Sequence, residues 1–236
     1  NIASGAMLTG SIDGGDGDNT LDYSSWVTTV DVDLALKTAS GITSGIDNIS
    51  NVTGGSASNT LTGDSTDNVL VGGAVGDTLA GGDGADSVDG GGGDDSLSGG
   101  AGQDTLVDGA GDDILDGGSD DDEYRLSADG LDEVVDSDGV DLLNFSAALE
   151  GVTLDIDEPA LQTVTVTNDE LTLTGDFENV TGSIFDDSLS AASLTGNARN
   201  LVGGGGTDTL TAADVANTWT ISTPNEGIVA GNVSFS

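Results

Sequence analysis

The sequence predicts an all-β protein: a right-handed parallel β-roll, or β-solenoid, of nonapeptide repeats with interspersed β-strand blocks. Two observations predict this fold. A nine-residue period runs through residues 54–144, and each of its frames carries an apolar residue two positions after a side chain with a carboxylate or amide oxygen. Outside this stretch, short runs with alternating apolar residues indicate further strands. Helical periodicity is not persuasive anywhere in the chain.

The main array at residues 54–144 consists of ten frames. Eight frames follow one another at steps of nine, and one extra residue, Leu126, shifts the phase before the last two. The sixth positions are Asn59, Asn68, Asp77, Asp86, Asp95, Asp104, Asp113, Asp122, Asp132 and Asp141. The eighth positions are Leu61, Leu70, Leu79, Val88, Leu97, Leu106, Leu115, Tyr124, Val134 and Leu143. An apolar residue kept in register ten times predicts one inward-facing side chain per strand.

Composition shifts divide the chain into five segments. We expect a β-strand block at 1–53 with one isolated nonapeptide at 14–22, the main array at 54–144, a second strand block at 145–181, a short degenerate array at 182–211, and the start of a further strand block at 212–236. A longer repeat lies over the short one, because Phe145 follows Tyr23 by 122 residues and the NVTG at 179–182 follows that at 51–54 by 128. The chain begins at Asn1 without a signal-peptide pattern, so we expect a piece of a longer protein.

Charge excludes several classes of partner. The chain has 43 acidic and 3 basic residues, a formal net charge of −40. Nucleic acid needs a basic surface to displace counterions, and anionic membranes attract basic segments, so neither is an expected partner. No apolar run has the length of a membrane span. With no Cys and no His, disulfides, thiolate or imidazole metal sites, and triads that depend on these residues are absent. We therefore expect no enzyme activity.

The acidic residues of the array predict calcium binding. Two strands per 18-residue coil would stack sixth positions into two columns, which read Asn59, Asp77, Asp95, Asp113 and Asn68, Asp86, Asp104, Asp122. Two carboxylates about 4 Å apart repel by about 4 kcal/mol at an effective dielectric constant of about 20. Calcium accepts six to eight oxygen ligands in flexible geometry, whereas magnesium demands a strict octahedron. We expect multiple Ca²⁺ ions, with ligands at Asp77, Asp86, Asp95, Asp104, Asp113, Asp122, Asn68, Asn59, Asp132, Asp141, Asp187, Asp208 and Asn19.

Four frames carry a family resemblance. The sequences GGDGADSVD, GGGGDDSLS, GGAGQDTLV and GGGGTDTLT resemble the repeats-in-toxin (RTX) nonapeptide, a calcium-binding repeat. The resemblance implies calcium-dependent folding after type I secretion from a Gram-negative bacterium, and it is firmest at Asp86, Asp95, Asp104 and Asp113. The strand blocks with their NVTG return resemble connecting modules of large RTX surface proteins and adhesins.

These observations favour a calcium-binding structural segment of a large secreted or surface-attached bacterial RTX protein, such as an adhesin, matrix or filament component. The alternative is the RTX part of a secreted toxin, protease or lipase whose active domain lies outside the fragment. A regular ligand face, as in ice binding, would need one residue type at a fixed turn position, and the third positions mix Ser, Ala, Asp and Gly. Expected partners are calcium ions and further copies of the chain or other cell-surface components. Trp26 and Trp219 are expected to pack in the strand blocks rather than to form a carbohydrate platform.

Overall fold

The structure is a computed structural model that describes residues 4–5, 7–127, 129–165, 169–191, 200–212, 218–220 and 228–230. All regular secondary structure in these residues is β. The strands are β1 (Ile12–Asp13), β2 (Thr20–Asp22), β3 (Asp31–Asp33), β4 (Thr38–Ala39), β5 (Ile46–Asp47), β6 (Asn51–Thr53), β7 (Thr60–Thr62), β8 (Val69–Gly73), β9 (Thr78–Asp83), β10 (Ser87–Gly91), β11 (Ser96–Ala101), β12 (Thr105–Val107), β13 (Ile114–Ser119), β14 (Glu123–Arg125), β15 (Leu131–Val135), β16 (Leu142–Asn144), β17 (Thr153–Asp155), β18 (Gln162–Thr163), β19 (Glu170–Thr174), β20 (Asn179–Thr181), β21 (Ser188–Ala191), β22 (Asn200–Val202), β23 (Thr209–Ala212), β24 (Thr218–Thr220) and β25 (Ile228–Ala230). Among the described residues, no helix has the length and hydropathy of a membrane span.

Two long sheets face each other through the array. One has ten strands in the order β2-β6-β8-β10-β12-β14-β16-β20-β22-β24, and the other has nine in the order β18-β19-β15-β13-β11-β9-β7-β3-β4. Successive array strands alternate between the sheets, and each pairs in parallel with the strand one coil later, as Leu79 does with Leu97. The 18-residue coil and the parallel β-roll are thereby confirmed.

The core is a thin layer of aliphatic side chains between the two sheets. All ten eighth-position residues are at most 2% exposed, because alternate residues of a strand point to opposite faces and the eighth position lies on the inward face. The extra residue Leu126 is also buried. It lengthens one coil to 19 residues, so that Leu115 pairs with Val134 and Tyr124 with Leu143. The phase break therefore leaves the pairing of the sheets intact.

The strand blocks interrupt one sheet and leave the other continuous. In the second block, β16 of the ten-stranded sheet pairs directly with β20, although 34 residues separate the two strands. Within that insertion β19 joins the nine-stranded sheet by pairing with β15, and β17 begins a new four-stranded sheet by pairing with β21. The first block has the same arrangement, because β2 pairs with β6, β5 pairs with β1, and β3 opens the nine-stranded sheet on β7.

Parts of the strand blocks differ from their sequence patterns. Alternation predicts a strand up to Lys37, but β3 ends at Asp33, and Leu36 is 73% exposed because the chain turns back with Lys37 at φ 58°. The sequence at 219–236 predicts a strand pair, but the described strands there, β24 and β25, pair in parallel with β22 and β23 and not with each other. Trp26 is buried edge-on against Tyr23, as expected. The side chain of Trp219, and Val166 of a further predicted strand, lie outside the described parts.

Candidate metal centre

The sixth-position aspartates form two hydrogen-bonded ladders along the roll. In each ladder, Oδ1 of an aspartate accepts the backbone N–H of the sixth-position residue one coil earlier. Asp95 accepts from Asp77 at 2.7 Å, and Asp113 accepts from Asp95 at 2.7 Å. In the other ladder Asp104 accepts from Asp86 at 2.7 Å. One oxygen of each carboxylate is therefore fixed by the stacking of the coils.

The second oxygen of these carboxylates has no partner. Oδ2 is buried and makes no hydrogen bond at Asp77, Asp86, Asp95, Asp104, Asp113, Asp122 and Asp141. Leaving a buried polar group unpaired is unfavourable by about 1–3 kcal/mol, and by more for a charged group. Seven such oxygens in register require either a cation or a proton at each of them.

A glycine at the first position of most frames leaves space beside Oδ2 of the aspartate in the same frame. A Cβ added to Gly90 would lie 2.3 Å from Oδ2 of Asp95 and 2.8 Å from the carbonyl oxygen of Asp108. The same approach to the aspartate of the frame occurs at Gly72, Gly81, Gly99, Gly117, Gly182 and Gly203. The first glycine thus keeps the surroundings of the carboxylate open.

Burial makes the ionised form of these aspartates unfavourable without a counterion. Burial, together with the smaller effect of the neighbouring carboxylates, raises the pKa of Asp104 to about 6 and that of Asp95 to about 7. Burial, and after it the charge of other nearby acids, raises the pKa of Asp86 and Asp113 to about 6 and that of Asp122 to about 7. At neutral pH the ladder therefore favours a bound cation.

The donor set fits calcium. The free groups are carboxylate oxygens beside Gly-rich turns, and hard cations such as Ca²⁺ prefer carboxylate and carbonyl oxygens. The unpartnered Oδ2 atoms from Asp77 to Asp141 would hold the ions. Calcium would supply positive charge between coils that already carry stacked carboxylates, which is a structural and not a catalytic contribution.

The predicted asparagine ligands use their side-chain N–H groups as hydrogen-bond donors to neighbouring oxygens. Asn59 donates its side-chain amide to Oδ1 of Asp77 at 2.9 Å and to the carbonyl of Gly55 at 3.2 Å, and its Oδ1 accepts the N–H of Gly55. Asn68 donates to the carbonyl of Ser50, and its Oδ1 accepts the N–H of Asp64. The side-chain amide of Asn19 donates to three carbonyls. An amide N–H thus contacts carbonyl oxygens that could otherwise face a cation.

Three further predicted ligands lie in the ladders but differ in their contacts. Asp132 continues the ladder after Asp113, and burial raises its pKa to about 8. Asp187 has both oxygens occupied, Oδ1 by the N–H of Val152 and the hydroxyl of Ser183, and Oδ2 by the N–H of Ser183. Oδ1 of Asp208 accepts the N–H of Asp187 at 3.1 Å. These three sites remain predictions.

Two buried acids, Asp108 and Glu178, escaped the sequence prediction of ligands, and a third, Asp136, fitted either a ligand or a surface residue from its sequence alone. Asp108 and Asp136 stand at the first position of their frames, and the loss of the usual glycine was their only signal. Glu178 continues a ladder, because its Oε2 accepts the N–H of Asp141 at 3.1 Å. Its only signal was its place before the repeated NVTG. Asp122, Asp136 and Asp141 together present carboxylate oxygens within 4.8 Å of one another.

We expect Gly90→Ala to weaken calcium-dependent folding, because the new Cβ would collide with Oδ2 of Asp95. Overpacking of this kind destabilises by about 1–3 kcal/mol. The calcium concentration at the folding midpoint, followed by circular dichroism, should rise. Gly92→Ala is the matched control, since its Cβ would have no neighbour nearer than 3.8 Å. Equal midpoints for the two variants would contradict the assignment of this space to an ion.

Comparison with protein families identifies the repeat. The model of the RTX calcium-binding nonapeptide repeat matches four times, at residues 11–25, 53–74, 72–106 and 98–129. These segments contain the ladder from Asn59 to Asp122. No curated protein matches the chain. The sequence motif, the β-roll and the buried aspartate ladders all indicate a calcium-binding repeat. Residues 11–25 and 53–129 of this chain carry four copies of the RTX calcium-binding nonapeptide repeat, a repeat that binds multiple calcium ions.

Proposed function

We propose that this calcium-binding RTX segment is a rigid structural element of a large secreted or surface-attached bacterial protein, of the adhesin, matrix or filament kind. The supporting observation is the ten-stranded sheet, which passes through both strand blocks without interruption. Calcium binding by the array does not by itself require a strand block that continues the sheet in the same direction, whereas a rigid structural element does.

The hydrogen bonds at the second block support an in-line connection of the modules. The N–H of Asn179 donates to the carbonyl of Asp141 at 2.9 Å, and the N–H of Phe145 donates to the carbonyl of Thr181 at 2.8 Å. A flexible linker would separate the array from the next module, whereas this pairing extends the sheet. Repetition of such modules would give a long, stiff stalk.

The charge of the chain supports folding outside the cell. The ion pairs among the described residues are Lys37–Asp47 and Arg125–Glu123, and both are largely exposed. Exposed pairs contribute about 0–1 kcal/mol, so the protein cannot neutralise its net charge of −40. Extracellular calcium modules bind with Kd of about 10⁻⁴–10⁻³ M. In the cell the chain would stay an acidic coil, which suits export, and outside it would fold.

Removal of calcium tests this proposal. With calcium, circular dichroism should show β structure and small-angle X-ray scattering an elongated rigid particle. Excess chelator should abolish both signals, and calcium should restore them, while the same concentration of magnesium should restore much less. A β signal that survives chelation would argue against calcium-driven folding.

The flanking sequence tests the structural role separately from calcium binding. Further copies of the strand block and array would support a stalk. A catalytic or pore-forming domain next to this segment would instead favour a secreted toxin, protease or lipase. RTX repeats themselves are not catalytic, and the buried sixth-position acids of the array are accounted for by the ladders.

A further inference from the structure

We propose that Asp122, Asp136 and Asp141 form a three-carboxylate cation site at the junction between the main array and the second strand block. Asp136 supplies a ligand that the preceding repeats lack. This inference rests on calcium binding by the array. It adds a site with a different set of ligands, in which the cation would hold the second strand block against the last coil of the array.

The position of Asp136 sets this site apart from the others. It is the first residue of its frame, where Gly72, Gly81 and Gly90 leave space beside the aspartate of their own frames. Asp136 is 7% exposed and therefore points into the roll. Its carboxylate occupies the corner that glycine leaves open elsewhere.

Two ladder aspartates that each have an unpartnered oxygen lie next to Asp136 in this corner. Oδ1 of Asp122 accepts the N–H of Asp104 at 2.8 Å, and Oδ1 of Asp141 accepts that of Asp122 at 2.9 Å. Their Oδ2 atoms are buried and have no partner, and the residues are 3% and 0% exposed. Each of the three acids has a carboxylate oxygen within 4.8 Å of the other two. A cation in the corner would give both free oxygens a partner.

The neighbouring protein groups do not neutralise these three charges. Asp136 accepts hydrogen bonds from the Tyr124 hydroxyl and the Ser137 backbone, and it lies close enough to Asp141 for the two carboxyl groups to share a proton when no cation is bound. The Tyr124 hydroxyl has one proton, yet it lies 3.0 Å from both Oδ1 of Asp136 and the carbonyl of Val135. Burial and the charge of Asp136 raise the pKa of Tyr124, so its phenol stays neutral. Arg125 is paired with Glu123.

In the other first-position aspartate, Asp108, both carboxylate oxygens accept hydrogen bonds from the protein. Oδ1 of Asp108 accepts the N–H of Gly109 at 2.6 Å, and Oδ2 accepts the N–H of Ser127 at 2.8 Å and its hydroxyl at 3.3 Å. Asp108 belongs to no cluster of metal-ligating groups among the described residues. A buried acid at the first position is therefore not sufficient for a site, and Asp108 offers a matched control.

The site lies where the array is joined to the next block. Asp141 directly precedes β16, the strand on which β20 pairs across the insertion. The N–H of Asp141 donates to Oε2 of Glu178, which precedes β20, and Tyr124 packs edge-on against Phe177 with ring centroids 5.8 Å apart. A cation that fixes Asp141 would thus fix the contact of the block with the array.

Terbium luminescence in the full chain tests the site. Tb³⁺ replaces Ca²⁺ at oxygen sites and emits when a nearby tyrosine is excited, and Tyr124 contacts Asp136. In the calcium-folded protein, titration with Tb³⁺ should give tyrosine-sensitised emission that saturates near one ion per chain. Tyr124→Phe should remove this component, which separates it from emission sensitised by Tyr23 or the tryptophans.

Asp136→Asn and Asp136→Gly should both weaken this Tb³⁺ binding at least tenfold, while the calcium-dependent β signal of the array persists. Asp108→Asn should leave the emission unchanged. Loss of emission in Asp108→Asn, or wild-type emission in both Asp136 variants, would overturn the proposal, as would absence of Tyr124-dependent emission from a calcium-folded chain. If instead the wild-type chain does not fold with calcium, it is the proposed function that fails.

Discussion

Asp95→Asn is expected to raise the calcium midpoint of folding at least tenfold and, in the absence of calcium, to stabilise the folded state at neutral pH. Asp95 lies in the middle of its ladder. Its Oδ1 accepts the N–H of Asp77, and its Oδ2 is buried without a partner. Asparagine has the same shape and can keep the first hydrogen bond, but it removes the charge that a cation needs. A tenfold change corresponds to about 1.4 kcal/mol.

The opposite signs of the two effects make this prediction specific. Burial and the neighbouring acids disfavour the ionised form of Asp95. A neutral side chain removes this unfavourable charge and so stabilises the folded state when no metal is bound. Asn59 shows that this ladder accepts an amide, which there donates to carbonyl oxygens. The midpoint pH of acid-induced folding in chelator, which should be higher in the variant, and calcium titration at pH 7, both followed by circular dichroism, measure the two effects.

Asp94→Asn is the matched control for this substitution, because it removes the same charge from the adjacent exposed position. Its carboxylate accepts only the N–H of Asp112 at 3.2 Å on the surface. We expect its calcium midpoint to stay within about twofold of wild type, since isolated surface charges contribute little. Similar shifts in the two variants would mean that net charge, and not ligation in the ladder, governs folding.

Periodicity made the array predictable from sequence. Each eighth-position apolar residue had one possible environment, because a coil of 18 residues leaves one inward site per short strand. The sixth-position aspartates followed from the same register, since stacking places Asp77, Asp95 and Asp113 in one column whatever the details of the turns. Here a local pattern and the global fold impose the same spacing, so the sequence is sufficient.

The strand blocks were less predictable because their strands are placed by distant partners. The strands β3 and β17 have three residues each, too few for a pattern to indicate which sheet they join. The alternation that suggested a strand to Lys37 extends past the point where the chain turns. Glu178 reaches a ladder only because β20 pairs with β16 across the insertion. Nothing local to Glu178 indicates that neighbour.

Hydrogen-bond satisfaction was likewise not visible in the sequence. Asp187 and Asp95 occupy the same position of the repeat, but the Ser183 side chain and the N–H groups of Val152 and Ser183 occupy the oxygens of Asp187. Asp108 and Asp136 are both first-position acids, and only Asp136 meets unpartnered carboxylates. The motif indicates which positions can supply a ligand. Whether a carboxylate oxygen there remains free for a cation depends on the hydrogen-bond donors around it.

Acidification is expected to fold the metal-free chain. In the folded state the pKa of Asp95 and Asp122 is raised to about 7 and that of Asp132 to about 8, against an ordinary value of 3.8. Between about pH 4 and pH 8 the folded state therefore binds more protons than the unfolded state, and its stability falls as pH rises. In chelator, the β signal should grow as the pH is lowered from 8 towards about 4.

Calcium and protons should compete for the same oxygens. Calcium binding at pH 7 should release protons, detectable by titration in weakly buffered solution, and the calcium midpoint should fall as pH rises from 5 to 8. In chelator, Asp95→Asn should reduce the change of the β signal between pH 4 and pH 8. Asp94→Asn, with the same change of net charge, should leave this change as in wild type. If both variants respond like wild type, general charge repulsion sets the pH dependence. If the metal-free signal does not change between pH 4 and 8, the buried ladder is not what holds the chain unfolded, because a protonated ladder has no repulsion left to oppose folding.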